Sequence, residues 1–307
     1  VQTCALPIYA TDIITRWMTG GEVVQTFNTV DIYSNDAYST SHATKTATAA
    51  CEHLLHTWQQ LGVPDVAQFD NESAFSGGNH PWVLGRVIRL CLYMGIDVLF
   101  IPLGEADYNS PVETFNHLWA QRFWGLHHFT RRRDISRVQR TFRAWYRSEY
   151  IAPRQPDTPE RMRLGARVHT LAAREAPGFP HRLPICAGRV HAVRRVSPEG
   201  RVRFLNHTLR VGNRYRERYV WLTFEHLAPK PCRSAVETTQ NRGGADERIC
   251  DARAQTLCAS PCDTATEATR QAWHSQALKT GHNRGSATVL DRKSTRLNSS
   301  HMSESRM

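Results

Sequence analysis

The sequence predicts an α/β protein with a mixed β-sheet flanked by helices, followed by a helical linker and a small all-β barrel. Strand-like and helix-like segments follow one another in the order β-β-β-α-β-α-β-α over residues 9–124, which is typical of a sheet covered by helices. Hydrophobic residues make up 40% of the 307 residues, which is enough for a buried core. Beyond residue 127 the chain first becomes basic and then alternates apolar with polar residues.

Three strands and one helix begin this order. A Thr-Gly-Gly-Glu turn separates the first two strands. The helix carries an apolar stripe that includes Cys51 and Trp58, and Gly62 is placed to end it. The four elements are predicted at residues 9–17, 23–33, 36–43 and 44–61.

The second half of the core alternates strands with helices. A short apolar run stops at Asp70, and a Gly-rich loop separates it from the next helix. A polar loop precedes the last helix of the core, which has Pro111 in its first turn. The strands are predicted at 66–69 and 96–103, and the helices at 81–94 and 111–124.

The remainder of the chain predicts two helices and then short strands. A basic amphipathic helix is expected over 130–150 and a further helix over 158–174. Alternating strands over about 187–227 predict a small β-barrel. The predicted units are a non-native leader at 1–8, a core at 9–127, a basic helical linker at 128–184, a small β-barrel domain at 185–230 whose arginines predict DNA binding, and a disordered or non-native tail at 231–307.

The charge and the cysteines restrict the class of protein. A net charge of +11 and a pI near 9.6 favour a polyanionic partner, of which nucleic acid is the commonest. No apolar run reaches the roughly 18 residues that a membrane span needs, so no membrane partner is expected. The eight cysteines are scattered without CxxC pairs. A disulfide framework or zinc site is therefore not expected, and a cytoplasmic location is.

Three acidic residues stand at places that a mixed sheet brings together. Asp12 lies in the first strand, Asp70 ends the fourth strand, and Glu113 lies in the first turn of a helix after the fifth. Clustered carboxylates repel one another unless a cation lies between them, and hard oxygen ligands suit Mg²⁺ or Mn²⁺. Two such ions support phosphodiester chemistry.

Several stretches together resemble bacterial insertion-sequence transposases of the retroviral-integrase-type core family. They are YATDIITRW, FNTVDIYS, LGVPDVAQFDNESAF, IRLCLYMGIDVLFIPLGEADYNSPVETFN and GRVHAVRRVSPEGRVRFLNHTLRVG, within residues 9–228. The resemblance implies a ribonuclease-H-like core. It also implies that Asp12, Asp70 and Glu113 are the catalytic triad and hold two Mg²⁺ or Mn²⁺ ions.

The resemblance further implies what the protein acts on. Water would cleave a DNA strand, and the freed 3′-hydroxyl would attack target DNA. The partners would be the ends of the mobile element, the target DNA and further copies of the chain in a nucleoid-associated complex. The chain departs from the family pattern at Glu72, where the family usually has glycine, and at Ser110-Pro111. It also enters almost directly at the first catalytic strand, so we expect an N-terminally truncated protein.

Each acid has an alternative role that the residues leave open. Asp31 competes with Asp12, although its separation from Asp70 is shorter than the family's. Asp70 could form a plain Asx turn. Glu113 could complete a capping box with Ser110 as the N-cap residue.

Arginines are the main candidates for contacts with DNA phosphates. The charge run before the basic helix and the helix itself could equally be a solvated face. Asn116, three residues after Glu113, is a candidate for the site or for the DNA backbone. The predicted DNA-binding residues are Arg131, Arg132, Arg133, Arg137, Arg140 and Asn116. The arginines of the predicted barrel, Arg189, Arg194, Arg195, Arg201, Arg203, Arg210 and Arg214, support the same role.

Three functions are compatible with these features. The first is a DDE transposase that performs DNA integration. The second is a catalytically inactive, DNA-binding remnant of a transposase. The third is a stand-alone ribonuclease-H-like nuclease, which the predicted C-terminal barrel argues against.

Overall fold

A computed structural model describes residues 7–77, 83–154 and 183–226, together with the backbone of 255–259 and 295–296. The helices are α1 (Ala47–Leu61), α2 (Ser73–Ser76), α3 (Arg86–Tyr93), α4 (Ser110–Arg122) and α5 (Arg132–Trp145). The core strands are β1 (Ile8–Trp17), β2 (Val23–Asp31), β3 (Ala37–His42), β4 (Val66–Phe69) and β5 (Asp97–Phe100). The later strands are β6 (Gly188–Arg195), β7 (Arg201–Phe204), β8 (His207–Arg210), β9 (Tyr219–His226), β10 (Gln255–Ala259) and β11 (Thr295–Arg296).

The described strands form one mixed sheet and one separate hairpin. The sheet runs in the order β11-β10-β9-β6-β5-β4-β1-β2-β3, and β7 pairs with β8. β1, β2 and β3 are antiparallel neighbours, whereas β4 and β5 run parallel to β1. Parallel neighbours need a crossover connection, and α1 lies in the chain between β1 and β4, as α3 does between β4 and β5. This mixed sheet with flanking helices fits the ribonuclease-H-like core that the sequence predicts.

The two faces of the sheet bury two different hydrophobic clusters because neighbouring residues of a strand point to opposite sides. Tyr9 of β1 packs with Trp58 of α1 in one cluster, which α3 also covers. Its neighbour Ala10 packs with Trp119 of α4 and Phe142 of α5 in the other. The helices are therefore fixed on both faces, and α4 is held against β1 and β2, where the acidic residues lie.

The first three helices differ from the sequence prediction. α1 begins at Ala47 instead of residue 44 because Thr46 caps it and accepts a hydrogen bond from the Ala49 amide at 3.2 Å. A four-residue helix, α2, follows the Asp70 turn and was not predicted. The helix expected from residue 81 begins at Arg86, after Gly85 in an extended conformation.

The basic helix is present as α5 and continues into a π-helical turn over Tyr146–Ile151. Ile135 and Phe142 are buried, as its apolar stripe predicts. The helix predicted at 158–174 lies outside the described residues, and so does most of the tail at 231–307.

The strands predicted near 187–227 are present as β6 to β9. β6 pairs in parallel with β5 through Val98 and Val190, and antiparallel with β9. The sheet of the core thus continues into the C-terminal unit, and a separate closed barrel remains a prediction.

In the described ranges, no helix is long and apolar enough to span a membrane. Cys51 and Cys91 are free and buried, whereas Cys186 is disulfide-bonded. No cysteine spacing in the sequence indicated that bond.

Candidate active site

Asp12 is held in place by hydrogen bonds to both of its carboxylate oxygens. It lies within β1, opposite Asn28 of β2, and is partly buried. Its Oδ1 accepts a hydrogen bond from the Ile13 amide at 2.7 Å, and its Oδ2 accepts one from Asn116 Nδ2 at 2.7 Å. Asn28 in turn donates to Asn116 Oδ1 at 2.6 Å. A chain of amides therefore connects β2 and α4 to this carboxylate.

Asp70 forms an Asx turn directly after β4. Its Oδ1 accepts a hydrogen bond from the Glu72 amide at 3.0 Å. Its Oδ2 accepts none within the described residues. The turn and a ligand role therefore do not exclude each other, because one oxygen makes the turn and the other remains available.

Glu113 lies in the first turn of α4 and is partly buried. A 3-10 turn over Ala106–Asn109 leads directly into the helix, so Asn109 is the N-cap residue and makes no side-chain cap bond. Ser110 is already helical. The capping-box alternative for Glu113 is therefore wrong, because the residue that would cap the helix lies inside it.

Buried amides fix the start of α4 against the sheet. Asn109 Oδ1 accepts a hydrogen bond from Gln68 Nε2 of β4 at 3.1 Å, and Asn109 Nδ2 donates to the Thr11 carbonyl of β1 at 3.5 Å. Both amide side chains are buried. The first turn of α4, with Glu113, is thereby placed beside the two strands that carry Asp12 and Asp70.

The carboxylates lie close enough to raise one another's pKa. Burial raises the pKa of Asp12, and the negative charges of Glu113 and Glu72 raise it further. Burial raises the pKa of Asp70 to about 6, with a further contribution from Asp12 and Glu72. Repulsion among partly buried carboxylates is the situation that a bound cation relieves.

The carboxylate oxygens of Asp12, Asp70 and Glu113 are the type of ligand that a hard divalent cation prefers. As positioned, however, no group of three or more His, Cys, Asp or Glu side chains among the described residues is arranged to hold a metal ion. The structure brings Asp12 near both Asp70 and Glu113 without completing a coordination shell.

Glu72 has a defined role that the sequence did not reveal. It is the N-cap residue of α2, and its Oε1 accepts a hydrogen bond from the Ser73 amide at 3.3 Å. Its Oε2 forms an ion pair with Lys45 at 3.1 Å. The residue thus stabilises the helix that follows the Asp70 turn. Glutamate is not among the preferred N-cap residues, so the sequence signal was weak.

Asp31, the competing first acid, is occupied in a turn after β2. It accepts hydrogen bonds from the Tyr33 amide at 3.0 Å and from Ser34 Oγ at 2.5 Å. Both partners lie within three residues of it, which is the pattern of a structural turn acid.

The arginines of α5 differ in their partners. Arg131 and Arg137 face Asp134 at 3.2 and 3.9 Å, and Arg132 faces Glu22 at 3.9 Å. Arg133 and Arg140 are exposed and form no ion pair with the described residues. Arg140 also lines a cavity of about 540 Å³ between β3, α1 and α5.

Three arginines of the later strands have partners within the protein. Arg189 pairs with Asp97 at 3.0 Å, and Arg195 pairs with Glu217 at 2.5 Å. Arg194 is buried, and its donors go to protein oxygens. The expectation that Arg194 contacts DNA phosphates is therefore wrong.

Comparisons with known proteins find similarity in structure only. No protein-family model matches the chain, and no curated protein sequence matches it. A chain of the simian T-cell lymphotropic virus intasome is similar with a TM-score of 0.40 and 19% identity, over 59% of this chain and 60% of that chain. The catalytic core domain of HTLV-2 integrase in complex with magnesium, in its dimeric form, has a TM-score of 0.37 and 14% identity, over 48% and 90%.

The catalytic core domain of BIV integrase is also similar, with a TM-score of 0.35 and 14% identity, over 46% of this chain and 84% of that one. The structural match thus spans less than two thirds of the intasome chain and most of the isolated core domains.

Proposed function

We propose that the chain is the catalytic core and C-terminal part of a DNA transposase or integrase that cleaves and joins DNA strands. The observation that carries this proposal is the cluster of Asp12, Asp70 and Glu113 on a mixed sheet. Asp12 and Asp70 come from adjacent parallel strands, and the pKa of each is raised by burial and by neighbouring carboxylates. Such a cluster is costly to the folded protein without a cation, which supports a metal-binding role.

Asp12, Asp70 and Glu113 would hold two Mg²⁺ or Mn²⁺ ions, and bound ions would supply activation of the attacking hydroxyl and stabilisation of the leaving oxygen of a phosphodiester. The chain's own residues orient the ligands. Asn116 fixes Oδ2 of Asp12, the Glu72 amide fixes Oδ1 of Asp70, and Asn109 fixes the start of the helix with Glu113. Hydrolysis of one phosphodiester would free a 3′-hydroxyl. That hydroxyl would then attack a phosphodiester of the target strand and displace that strand's own 3′-hydroxyl.

DNA is the proposed partner, at the element's ends and at the target. The net charge of +11 supports it, as do the exposed Arg133 and Arg140 of α5. Arg131, Arg132, Arg137 and Asn116 belong to the same proposed surface. Pairing two DNA ends would require a homo-oligomer, located at the nucleoid in the bacterial cytoplasm.

A second candidate is a DNA-binding remnant without catalysis. The incomplete arrangement of carboxylates in the described part of the chain favours it, and so does Glu72 in place of a glycine.

A branched DNA that mimics the joined product separates the two candidates, because its resolution requires phosphodiester chemistry, whereas binding alone leaves the branch intact. The active protein resolves this DNA in Mn²⁺ or Mg²⁺. Substitutions Asp12→Asn, Asp70→Asn and Glu113→Gln are each expected to reduce the rate by about 10²- to 10³-fold, the range seen when a group that stabilises transition-state charge is removed. Asp31→Asn is the matched control and retains activity.

Activity that survives Asp70→Asn would refute the triad. Wild-type protein that binds DNA in a salt-dependent manner but never resolves the branch would establish the remnant instead.

A further inference from the structure

The residues on both sides of Asp70 form hydrogen bonds with the backbone of the same residue, Ile101. Phe69, which precedes Asp70, accepts a hydrogen bond through its carbonyl from the Ile101 amide at 3.1 Å. Asn71, which follows it, donates from Nδ2 to the Ile101 carbonyl at 2.9 Å. The position of the Asp70 carboxylate therefore depends on how firmly Asn71 is held beside Ile101.

Arg194 of β6 holds that amide from the other side. Its Nη2 donates to Asn71 Oδ1 at 2.7 Å, and its Nη1 donates to the Ile101 carbonyl at 2.9 Å. Guanidinium, amide and carbonyl thus form a closed three-membered network, in which each group contacts the other two. Two further bonds orient the guanidinium, from Nη1 to the Val193 carbonyl at 2.8 Å and from Nε to the Arg203 carbonyl at 3.2 Å.

The chemistry of this site is unusual for an arginine. Only 7% of Arg194 is exposed, and no carboxylate pairs with it in the described parts of the chain. Burial lowers the pKa of Arg194 to about 10, so it stays charged at neutral pH. A buried cation without a counter-ion is retained at a cost in free energy, and all three of its nitrogens are used by neutral acceptors. An arginine fork can reach several acceptors at once, which a lysine ammonium cannot do in the same geometry.

We propose that Arg194 is a positioning residue for the Asp70 carboxylate, acting through Asn71, and that the C-terminal strand unit therefore helps to order the proposed metal site of the core. This inference rests on the proposed function, because it gives Asp70 a metal to bind. It adds that the Asp70 carboxylate is poorly ordered in a core that lacks β6 and β7. Residues that support metal ligands in this way typically change metal affinity by about 10- to 100-fold when removed.

Thermal unfolding of the full chain at increasing Mg²⁺ tests the proposal, with each variant compared with its own metal-free melting temperature. A bound ion stabilises the folded state by an amount that grows with the logarithm of its concentration above the dissociation constant, so each variant is compared by the Mg²⁺ concentration that raises its melting temperature by a fixed increment. Substitution Arg194→Lys is expected to raise this concentration by about 10- to 100-fold. Arg189→Lys is the matched control. It lies on the same strand and changes the ion pair with Asp97 instead, so the required Mg²⁺ concentration stays at the wild-type value. A purely structural role would lower the metal-free melting temperature without changing the required Mg²⁺ concentration.

Substitution Asn71→Ala removes the acceptor of the hydrogen bond from Arg194. It replaces Arg194→Lys in the test if that variant fails to fold. It is expected to produce the same shift, and the double variant is expected to shift no further than either single variant. The proposal is overturned if Arg194→Lys and Asn71→Ala need a Mg²⁺ concentration within about twofold of wild type for the same rise in melting temperature. An additive double variant also overturns it.

Failure of the proposed function gives a different result. If Mg²⁺ does not stabilise the wild-type protein, the metal site itself is refuted. Hydrogen exchange then decides the positioning claim, through the amides of Glu72, Phe75 and Ser76, whose acceptors lie within the Asp70 turn and α2. Faster exchange there in Arg194→Lys, but not in Arg189→Lys, supports the claim, and equal exchange overturns it.

Discussion

The carboxyl group of Asp70 combines a local structural role with an electrostatic cost. One oxygen closes the turn after β4 through the Glu72 amide, while burial and the nearby Asp12 and Glu72 disfavour its ionised form. The folded metal-free protein therefore holds a carboxylate where ionisation is unfavourable. Such a residue makes stability depend on pH and, under the proposed function, on metal.

The direction of that dependence follows from the raised pKa. In the folded state the pKa of Asp70 is raised to about 6, against roughly 4 in an unfolded chain. Between these values the folded state binds more protons, so the free energy of unfolding falls as the pH rises. The cost is absent below about pH 4 and fully present above about pH 6, and amounts to roughly 2 to 3 kcal/mol.

Urea unfolding in EDTA, at a series of pH values, measures this effect. Asp70→Asn is expected to be more stable than wild type near pH 7, and the difference should disappear toward pH 4. Addition of Mg²⁺ to the wild-type protein should reverse the trend, because the ion binds the ionised carboxylates. Parallel stability profiles for the two proteins in EDTA would contradict the expected role of Asp70.

Single residues differ in how much of their role the sequence reveals. Strand patterns placed Asp12 and Asp70 at one part of a sheet, and the structure has them on or directly after adjacent parallel strands. Their preference over Asp31 and over a plain turn came from the family resemblance, and their catalytic role stays a prediction. Glu72 was not explained, because its role requires Lys45, 27 residues earlier in the chain, to lie beside it. Arg194 was assigned to DNA, because its position in an alternating strand gives no sign that a loop from the core covers it.

At the scale of secondary structure, the contact of α4 with β1 and β2 decides the geometry of the site. Asn116 of α4 donates to Asp12 and accepts from Asn28, so one side chain connects three elements. The sequence placed Asn116 on the same side of the helix as Glu113, and the structure gives it a partner there. Its proposed contact with DNA remains a prediction.

Substitution Asn116→Ala is expected to destabilise the protein by about 1 to 3 kcal/mol, because it leaves Asn28 and one oxygen of Asp12 without their partner. It should also reduce strand joining more than its loss of stability explains, because Asp12 loses its orientation. Gln121→Ala, on the same helix but exposed, removes only a contact with His117 and is the matched control. Chemical denaturation and the branched-DNA assay provide the two measurements. Equal effects of both variants would show that Asn116 is an ordinary surface amide.

The elements themselves were predicted unevenly, for physical reasons. β4 was predicted at its observed bounds, because an apolar run between polar residues marks a short buried strand. The start of α4 was misplaced, because Ser110 and Glu113 have capping-box spacing while tertiary contacts of Asn109 extend a 3-10 turn into the helix. The pairing of β6 with β5 joins segments some 90 residues apart, and no local pattern encodes such a partner.

For the whole molecule, the proposed function requires a surface on which the positive charge could contact DNA. The net charge is +11, but several arginines already have carboxylate partners within the fold. On α5, Arg133 and Arg140 are exposed and form no ion pair in the described part of the chain. They can therefore contact phosphates without first breaking a salt bridge, and each phosphate contact adds to the salt dependence of binding.

The double substitution Arg133→Ala and Arg140→Ala is expected to weaken DNA binding uniformly across sequences. It should also make the plot of log affinity against log salt less steep by about two, one for each lost phosphate contact. Fluorescence anisotropy with a labelled duplex between roughly 50 and 200 mM salt covers the range in which such slopes are resolved.

Arg216→Ala with Arg218→Ala removes the same charge from exposed positions outside α5 and is the control. If both pairs reduce the slope equally, α5 contributes no more than exposed arginines of the predicted barrel, and α5 is not the preferred DNA-binding surface. A loss confined to the α5 pair would place the DNA backbone along that helix, whose apolar face packs on α4, the helix that carries Glu113.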